Sequence, residues 1–474
     1  ARHYFPPKGE WERRSPAEVG MDPALVDSAV AYAIANETSW PHNLRRALEE
    51  SSLTANEWGE LIGPVKDRGG PAGVIVKDGY IVAEWGDVER ADMTFSIAKS
   101  YLATTAGLAL DRGLIRSLDD RVADYMPPED DGFASAHNAP ITWRMLLQQT
   151  SEWEGTLWGK PDKADRRRGQ DRELQAPGTF WEYNDVRVNR TALSLLRVWR
   201  RPLPEVLEEL VMDPIGASDT WEWHGYHNSY VEVDGRRVQS VSGGGHWGGG
   251  FFISTLDHAR FGYLHLRRGV WDGKRILSER WIQEATTPSE LNPRYGLMWW
   301  LNTDRRQYRS APESSFFALG AGNNVIWVDP DHDLVVVVRW IEGRAVDGFI
   351  ARVLQAVRAP ATSDAAVTSD AAAASDAAAT SDAGAASDAV APTAAASTSD
   401  TRAHRSRAMV VSGSACHPGP PGRTRKPSTR AGPDHARSTA VTSTTSVREV
   451  YGTKSSTPSS RQPSAVRSAR SRGR

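Results

Sequence analysis

Met93-Thr94-Phe95-Ser96-Ile97-Ala98-Lys99 opens an Ala/Leu-rich stretch, SIAKSYLATTAGLALDRGLI from Ser96 to Ile115, and its reading decides the fold. Gly113 reads as a helix stop, so a buried central helix is expected to start at the serine. On a helix, residues three apart share a face, one turn from each other, so the side chains of Ser96 and Lys99 can meet. A serine hydroxyl is a poor nucleophile near neutral pH and needs a base. A lysine desolvated by apolar neighbours can have its pKa lowered enough to serve, and the apolar residues around Lys99 are read as that setting. The positive end of the helix dipole would favour the anion that develops during attack. In a chain this rich in serine, roughly one Ser-x-x-Lys is expected by chance, so the flanking sequence has to decide.

Upstream, MDPALVDSAVAYAIAN (Met21–Asn36) has apolar residues at helical spacing after an Asp-Pro start, which predicts an amphipathic first helix. The period then changes. Ala72 to Val76 and Tyr80 to Trp85 are β-favouring runs separated by Lys77-Asp78-Gly79, a strong hairpin signal. Downstream, about Asp119 to Pro214 reads as mostly helical with polar, Trp-rich loops. Strand-like runs return from about Gly243 to Trp340, closing with Val325 to Val328 and Leu334 to Trp340 around the turn Asp329-Pro330-Asp331-His332-Asp333. Strands, then helices, then strands predict an α+β domain with a helical insertion at about 119–214.

Three segments in order support an enzyme. Met93 to Lys99 closely resembles the nucleophile segment of the class C β-lactamase and penicillin-binding-protein-like serine hydrolases, a group that also includes carboxylesterases, D-aminopeptidases and amide-oligomer hydrolases. Leu146-Leu147-Gln148-Gln149-Thr150-Ser151 is similar to that family's Leu-Leu-x-His-Thr-Ser-Gly segment. Pro177-Gly178-Thr179 before Tyr183-Asn184-Asp185 is similar to its Pro-Gly…Tyr-Ser-Asn segment. The resemblance covers about residues 15 to 357. It implies a β-lactamase/transpeptidase-like fold, an antiparallel sheet flanked by helices plus a helical domain, with the site between them. It also implies Tyr183 as the second proton-transfer group beside Ser96 and Lys99, and an oxyanion hole from the backbone N–H groups of Ser96 and Ala321.

Two departures bear on substrate. Where the family's Tyr-x-Asn motif has an amide, this chain has Asp185, which when ionised only accepts hydrogen bonds; Asn184 stands one place early, and both are candidate substrate contacts. The family's Lys-Thr-Gly or His-x-Gly strand has its best counterpart in Ala318-Leu319-Gly320, with Leu319 and Gly320 as candidate contacts and the cation missing. That absence argues for a neutral ester or amide over a penicillin-like substrate. Gly243-Gly244-Gly245-His246-Trp247-Gly248-Gly249-Gly250 resembles the family's Gly-Gly segment. There His246 is either a polar group of the cleft or the residue that orders its own loop, and Trp247 is a candidate apolar wall. No His-x-x-x-His, no phosphate-cradling glycine motif and no ligand-spaced carboxylate or thiolate set occurs, so neither metal nor cofactor is expected.

All 18 Trp lie between Trp11 and Trp340 and apolar periodicity ends near Val357, which bounds the hydrolase domain at 1–358. Residues 359–400 repeat Ser-Asp-Ala-Ala, a composition too poor in large side chains to offset ordering entropy, and are expected to be a disordered linker. Residues 401–474 carry 13 Arg and 2 Lys against Asp434 and Glu449, so the formal charge of −2 hides two oppositely charged parts. The basic tail is expected to be disordered. Its only aromatic is Tyr451, so it offers no platform for bases, and no nucleic-acid partner is required. Cys416, the only cysteine, lies in the tail and leaves the domain without disulfide or thiolate chemistry. No signal-peptide core and no apolar run of about 18 residues occurs, so a cytoplasmic protein without a membrane span is expected; oligomeric state is not legible. The function expected is a serine hydrolase acting on a small ester or amide through an acyl-enzyme on Ser96. The alternatives are β-lactamase or D,D-peptidase activity, or a non-catalytic binding protein on the same fold.

Overall fold

The computed structural model describes residues 3–51 and 54–358; the expected linker at 359–400 and the basic tail at 401–474 lie outside the described residues. The Asp-Gly hairpin forms as read. Ala72–Lys77 pairs with Tyr80–Trp85, and Asp78 and Gly79 take the left-handed φ values of 53° and 93° that such a two-residue turn requires. It joins a six-stranded antiparallel sheet in the order Trp300–Leu301, Phe316–Gly320, Asn324–Asp329, Leu334–Arg339, Ala72–Lys77, Tyr80–Trp85.

The strand Leu334–Arg339 is a continuous apolar run because both faces of the sheet are covered. Leu334, Val336 and Val338 join one core with residues of the helices Pro23–Ala35 and Val346–Arg358. Val335 and Val337 join the other, with residues of Thr255–Leu266 and Ala98–Asp111. Successive residues point to opposite faces, so one strand feeds both cores.

The helix Ala98–Asp111 has twelve of its fourteen residues buried and ends before Gly113 at φ 70°, as its composition predicts. A second sheet joins Asp92–Met93, Gly250–Ile253 and the long hairpin Glu222–Val233/Arg236–Val241. The span 119–214 is less helical than expected. Its one long helix is Asp185–Trp199, and between Gln148 and Asn184 only the turn Asp162–Asp165 is helical. Side chains satisfy the backbone there instead: Glu154 N–H donates to Asn138 Oδ1, Gln175 N–H to Glu152 Oε2, and the N–H groups of Arg167 and Arg168 both donate to Glu182 Oε1. Among the described residues no helix is long and apolar enough to cross a membrane.

Candidate active site

Ser96 sits in a 3-10 turn, Phe95–Ile97, that runs directly into the helix bearing Lys99. Residues three apart across this junction stand on one face, one turn from each other, which brings the pair together. Lys99 Nζ donates to Ser96 Oγ at 2.9 Å. Between Asp92 and Ser100 only Ser96 is not buried. Phe95 holds φ 49° immediately before it, a costly conformation for an aromatic residue, pinned by edge contacts to Trp40 and Trp340.

Strands hold this turn from behind. The guanidinium of Arg339 is buried and donates to the carbonyls of Met93 and Ile253 and to Asn324 Oδ1. Thr94 Oγ1 meets Nε2 of His258, whose Nδ1 meets the Tyr101 hydroxyl; burial pushes His258 well below the usual histidine range, so the ring stays neutral. Gly320 passes so close that a Cβ there would lie 2.1 Å from the Thr94 carbonyl oxygen, which is why the strand Phe316–Gly320 ends in glycine beside the Ser96 turn.

Tyr183 reaches the site from the irregular segment before Asp185–Trp199. Gln149 holds that segment: its carbonyl accepts from Glu182 N–H and its Oε1 from Asn184 N–H. The Tyr183 ring stacks on Trp300 and stands edge-on to Tyr295. Burial pushes its phenol well above the ordinary range, the Asp185 charge adds to this, and a hydrogen bond with Ser96 and the charge of Arg167 offset part of it. The Tyr183 phenol is therefore held in its neutral form near pH 7. Lys99 Nζ lies 4.6 Å from its ring centroid.

The surroundings of Lys99 differ from the apolar setting expected. Its Nζ lies 2.5 Å from Asp185 Oδ1, with both side chains nearly sealed from solvent. Burial pushes the Asp185 carboxyl up, but the charges of Lys99 and His246 outweigh it and hold it below its ordinary value. The glycine-rich run makes room for this pair: a Cβ on Gly244 would fall 2.3 Å from Asp185 Oδ2 and 2.5 Å from Lys99 Nζ.

The cleft over Ser96 brings together Tyr183, Asp185, His246, Leu319, Gly320 and Ala321. Two expected contacts lie elsewhere. Asn184 is fully buried as the N-cap of Asp185–Trp199: its Oδ1 accepts from Arg187 N–H and its Nδ2 donates to the Asp162 carbonyl, so its side chain serves the helix. Trp247 is likewise a core residue, wholly buried with its ring beneath Lys160.

Sequence reasoning missed Arg167 and Asp165. Arg167 lines the cleft with its guanidinium 4.9 Å from the Tyr183 ring centroid. Asp165 pairs with Arg167 Nε at 3.4 Å, lies 3.6 Å from His246 Nδ1, and accepts the backbone N–H of Asp185 at 2.6 Å. The only signal was the polar run Asp162 to Arg172, which has no periodicity to read. Asp165, Asp185 and His246 have ligand atoms within 4.8 Å of one another, but Lys99 and Arg167 already compensate both carboxylates, a charge balance that suits proton transfer better than metal binding.

A helix-covered antiparallel sheet with a Ser–Lys–Tyr cluster at its edge defines the β-lactamase/transpeptidase-like class. A family model described as Beta-lactamase matches residues 66–340, more than half of the 474 residues, and the chain belongs to that family of serine hydrolases. An uncharacterized protein from Alkalihalophilus pseudofirmus is 26% identical over 330 residues, 63% of this chain and 90% of the relative. Similar solved structures include a penicillin-binding protein homolog from Caulobacter crescentus, at 17% identity over 66% of this chain and 95% of the other, TM-score 0.44. A beta-lactamase from Mycobacterium bovis matches at 21% identity over 62% of this chain and 94% of the other, TM-score 0.43.

Proposed function

We propose that the protein hydrolyses small esters or amides by acyl transfer to Ser96. The observation that carries this reading is the hydrogen bond from Lys99 Nζ to Ser96 Oγ at the floor of a cleft that Tyr183 also lines. In this scheme Ser96 Oγ attacks the substrate carbonyl as its proton passes to Lys99, and the backbone N–H groups of Ser96 and Ala321 receive the oxyanion. Tyr183, neutral at rest, protonates the leaving group and is reprotonated from Lys99. Water then repeats the sequence on the acyl-enzyme. Specificity is assigned to Asp185, His246, Leu319 and Gly320 around the cleft.

The test is intact-mass spectrometry after exposure to a fluorophosphonate, on wild type and Ser96→Ala. One adduct that vanishes in the variant supports the reading. No adduct on either protein overturns it in favour of a binding protein on the same fold.

A second reading, hydrolysis of carboxylate-bearing substrates including β-lactams, is favoured by Arg167. The strand Phe316–Gly320 lacks the family's cation, but Arg167 brings one to the same cleft from another element. A short-chain ester assayed beside a chromogenic cephalosporin separates the two readings.

A further inference from the structure

The ion pair of Lys99 with Asp185 raises a question that the Ser–Lys–Tyr scheme leaves open, because an ammonium has no lone pair with which to accept the Ser96 proton. Lys99 Nζ stands between two oxygens, Ser96 Oγ at 2.9 Å and Asp185 Oδ1 at 2.5 Å. Resting on the hydrolase reading above, we propose that Asp185 is a positioning residue that keeps Lys99 protonated in the free enzyme. When substrate shuts water out of the cleft, Asp185 takes one proton from Lys99, which turns Lys99 into the base for Ser96.

The protons balance. Ammonium and carboxylate become amine and carboxylic acid as one N–H bond breaks and one O–H bond forms on Asp185. The amine then takes the proton of Ser96 as the Oγ–C bond forms. That proton leaves through Tyr183 with the leaving group, and Asp185 returns its own when the cleft reopens. Excluding water favours the first step, since a buried ion pair bears a larger desolvation cost than its neutral tautomer.

The surroundings are built for such a poised pair. Asp185 is the first residue of the helix Asp185–Trp199, where the dipole favours the carboxylate in the resting state. Facing it are Lys99 from the nucleophile helix, His246 from the glycine-rich loop with Nδ1 3.9 Å from Oδ2, Tyr183 from the preceding segment, and Asp165 and Arg167 from the loop beyond, with Tyr226 and Tyr295 farther off. Two carboxylates among these cations keep the cluster near neutrality, so a proton can move within it without creating a lone buried charge.

The experiment compares wild type, Asp185→Asn and Asp185→Glu as full chains, reading fluorophosphonate labelling rate and ester kcat and KM against pH. The expected result for Asp185→Asn is a kcat profile and a labelling-rate profile both shifted to lower pH than the wild type, with KM little changed, because the counter-charge that holds the ammonium is gone. Asp185→Glu, which keeps a carboxylate, returns the profiles part of the way. An Asp185→Asn protein with the wild-type pH profile, or one shifted to higher pH, overturns the proposal. NMR of wild-type protein with ¹⁵N-labelled lysine covers the case in which the variants do not fold: an ammonium at Lys99 in the free enzyme is expected, and a neutral amine there overturns the proposal. A wild type that the probe never labels removes the hydrolase reading and this proposal with it, whereas a labelled wild type with an indifferent Asp185→Asn removes only the role of Asp185.

Discussion

The charge that a substrate meets in the cleft comes from one residue. Arg167 has 22% of its side chain exposed, against 4% for Asp185 and 3% for His246, so of the charged side chains lining the cleft among the described residues it dominates the approach. A guanidinium keeps its positive charge throughout the ordinary pH range, so Arg167 in the cleft lining attracts a substrate carboxylate. Arg167→Gln is expected to raise KM about tenfold for a chromogenic cephalosporin and to leave KM for a neutral short-chain ester unchanged; an equal loss on both substrates would assign Arg167 to the support of Tyr183. No periodic or motif signal points to this arginine, because its place in the cleft depends on an irregular loop whose backbone N–H groups are held by Glu182. Ser96, Lys99 and Tyr183 were legible because helical spacing and ordered motifs are local properties. Asn184 and Trp247 were misread for the complementary reason: a cap and a core tryptophan differ from cleft residues only in which way they point.

The segment between Gln148 and Asn184 is held by ionic contacts in place of regular structure. Glu152, with no exposed side-chain surface, is paired with Arg172 and Arg187 at 2.7 Å each. Glu182 pairs with Arg172 and Arg187, and Asp162 with Arg166 and Arg187. Burial pushes the Glu152 carboxyl up, but Arg172 and Arg187 outweigh it and hold it at about 2. A carboxyl depressed in the folded state stabilises the fold above its unfolded value near 4.5, and that contribution is lost as pH falls from there through about 2. Glu152→Gln is therefore expected to unfold at lower urea at pH 7, by about 3–5 kcal/mol, and to lose less stability than wild type between about pH 4.5 and 2. Equal acid sensitivity in urea titrations of both proteins would overturn the assignment of this effect to Glu152. This element explains why a helical reading of 119–214 overshot: composition shows that a segment is polar, not that its carboxylates replace a helix's hydrogen bonds. The hairpin at Asp234-Gly235, where Val233 pairs with Arg236, carries the same Asp-Gly signal as Asp78-Gly79 and falls in the span between Pro214 and Gly243, where no element is read from the sequence.

At the scale of the whole molecule, the domain boundary follows from where large apolar side chains end. The helix Val346–Arg358 packs Phe349, Ile350, Val353 and Leu354 into the core it shares with Val26, Ala29 and Ala33 of the first helix, and the carbonyl of Ala356 accepts the N–H of Asp22. The first long helix and the last helix of the domain are thus joined at one face of the sheet. Beyond residue 358 the sequence contains no Trp, Phe, Leu or Ile, so it has little with which to extend either core. At about 25 cal/mol per Å² of buried apolar surface, alanines and serines have little apolar surface to contribute to a core. A chain ending at Arg358 is accordingly expected to keep the full-length Tm within about 2 °C, a shift of under about 1.5 kcal/mol for a domain of this size, and to keep its ester kcat/KM. Paired thermal unfolding and ester assays of the two chains check this. A fall in Tm of more than about 5 °C would make residues 359–474 part of the folded unit, whereas an unchanged Tm with altered kcat/KM would give them a role at the mouth of the cleft.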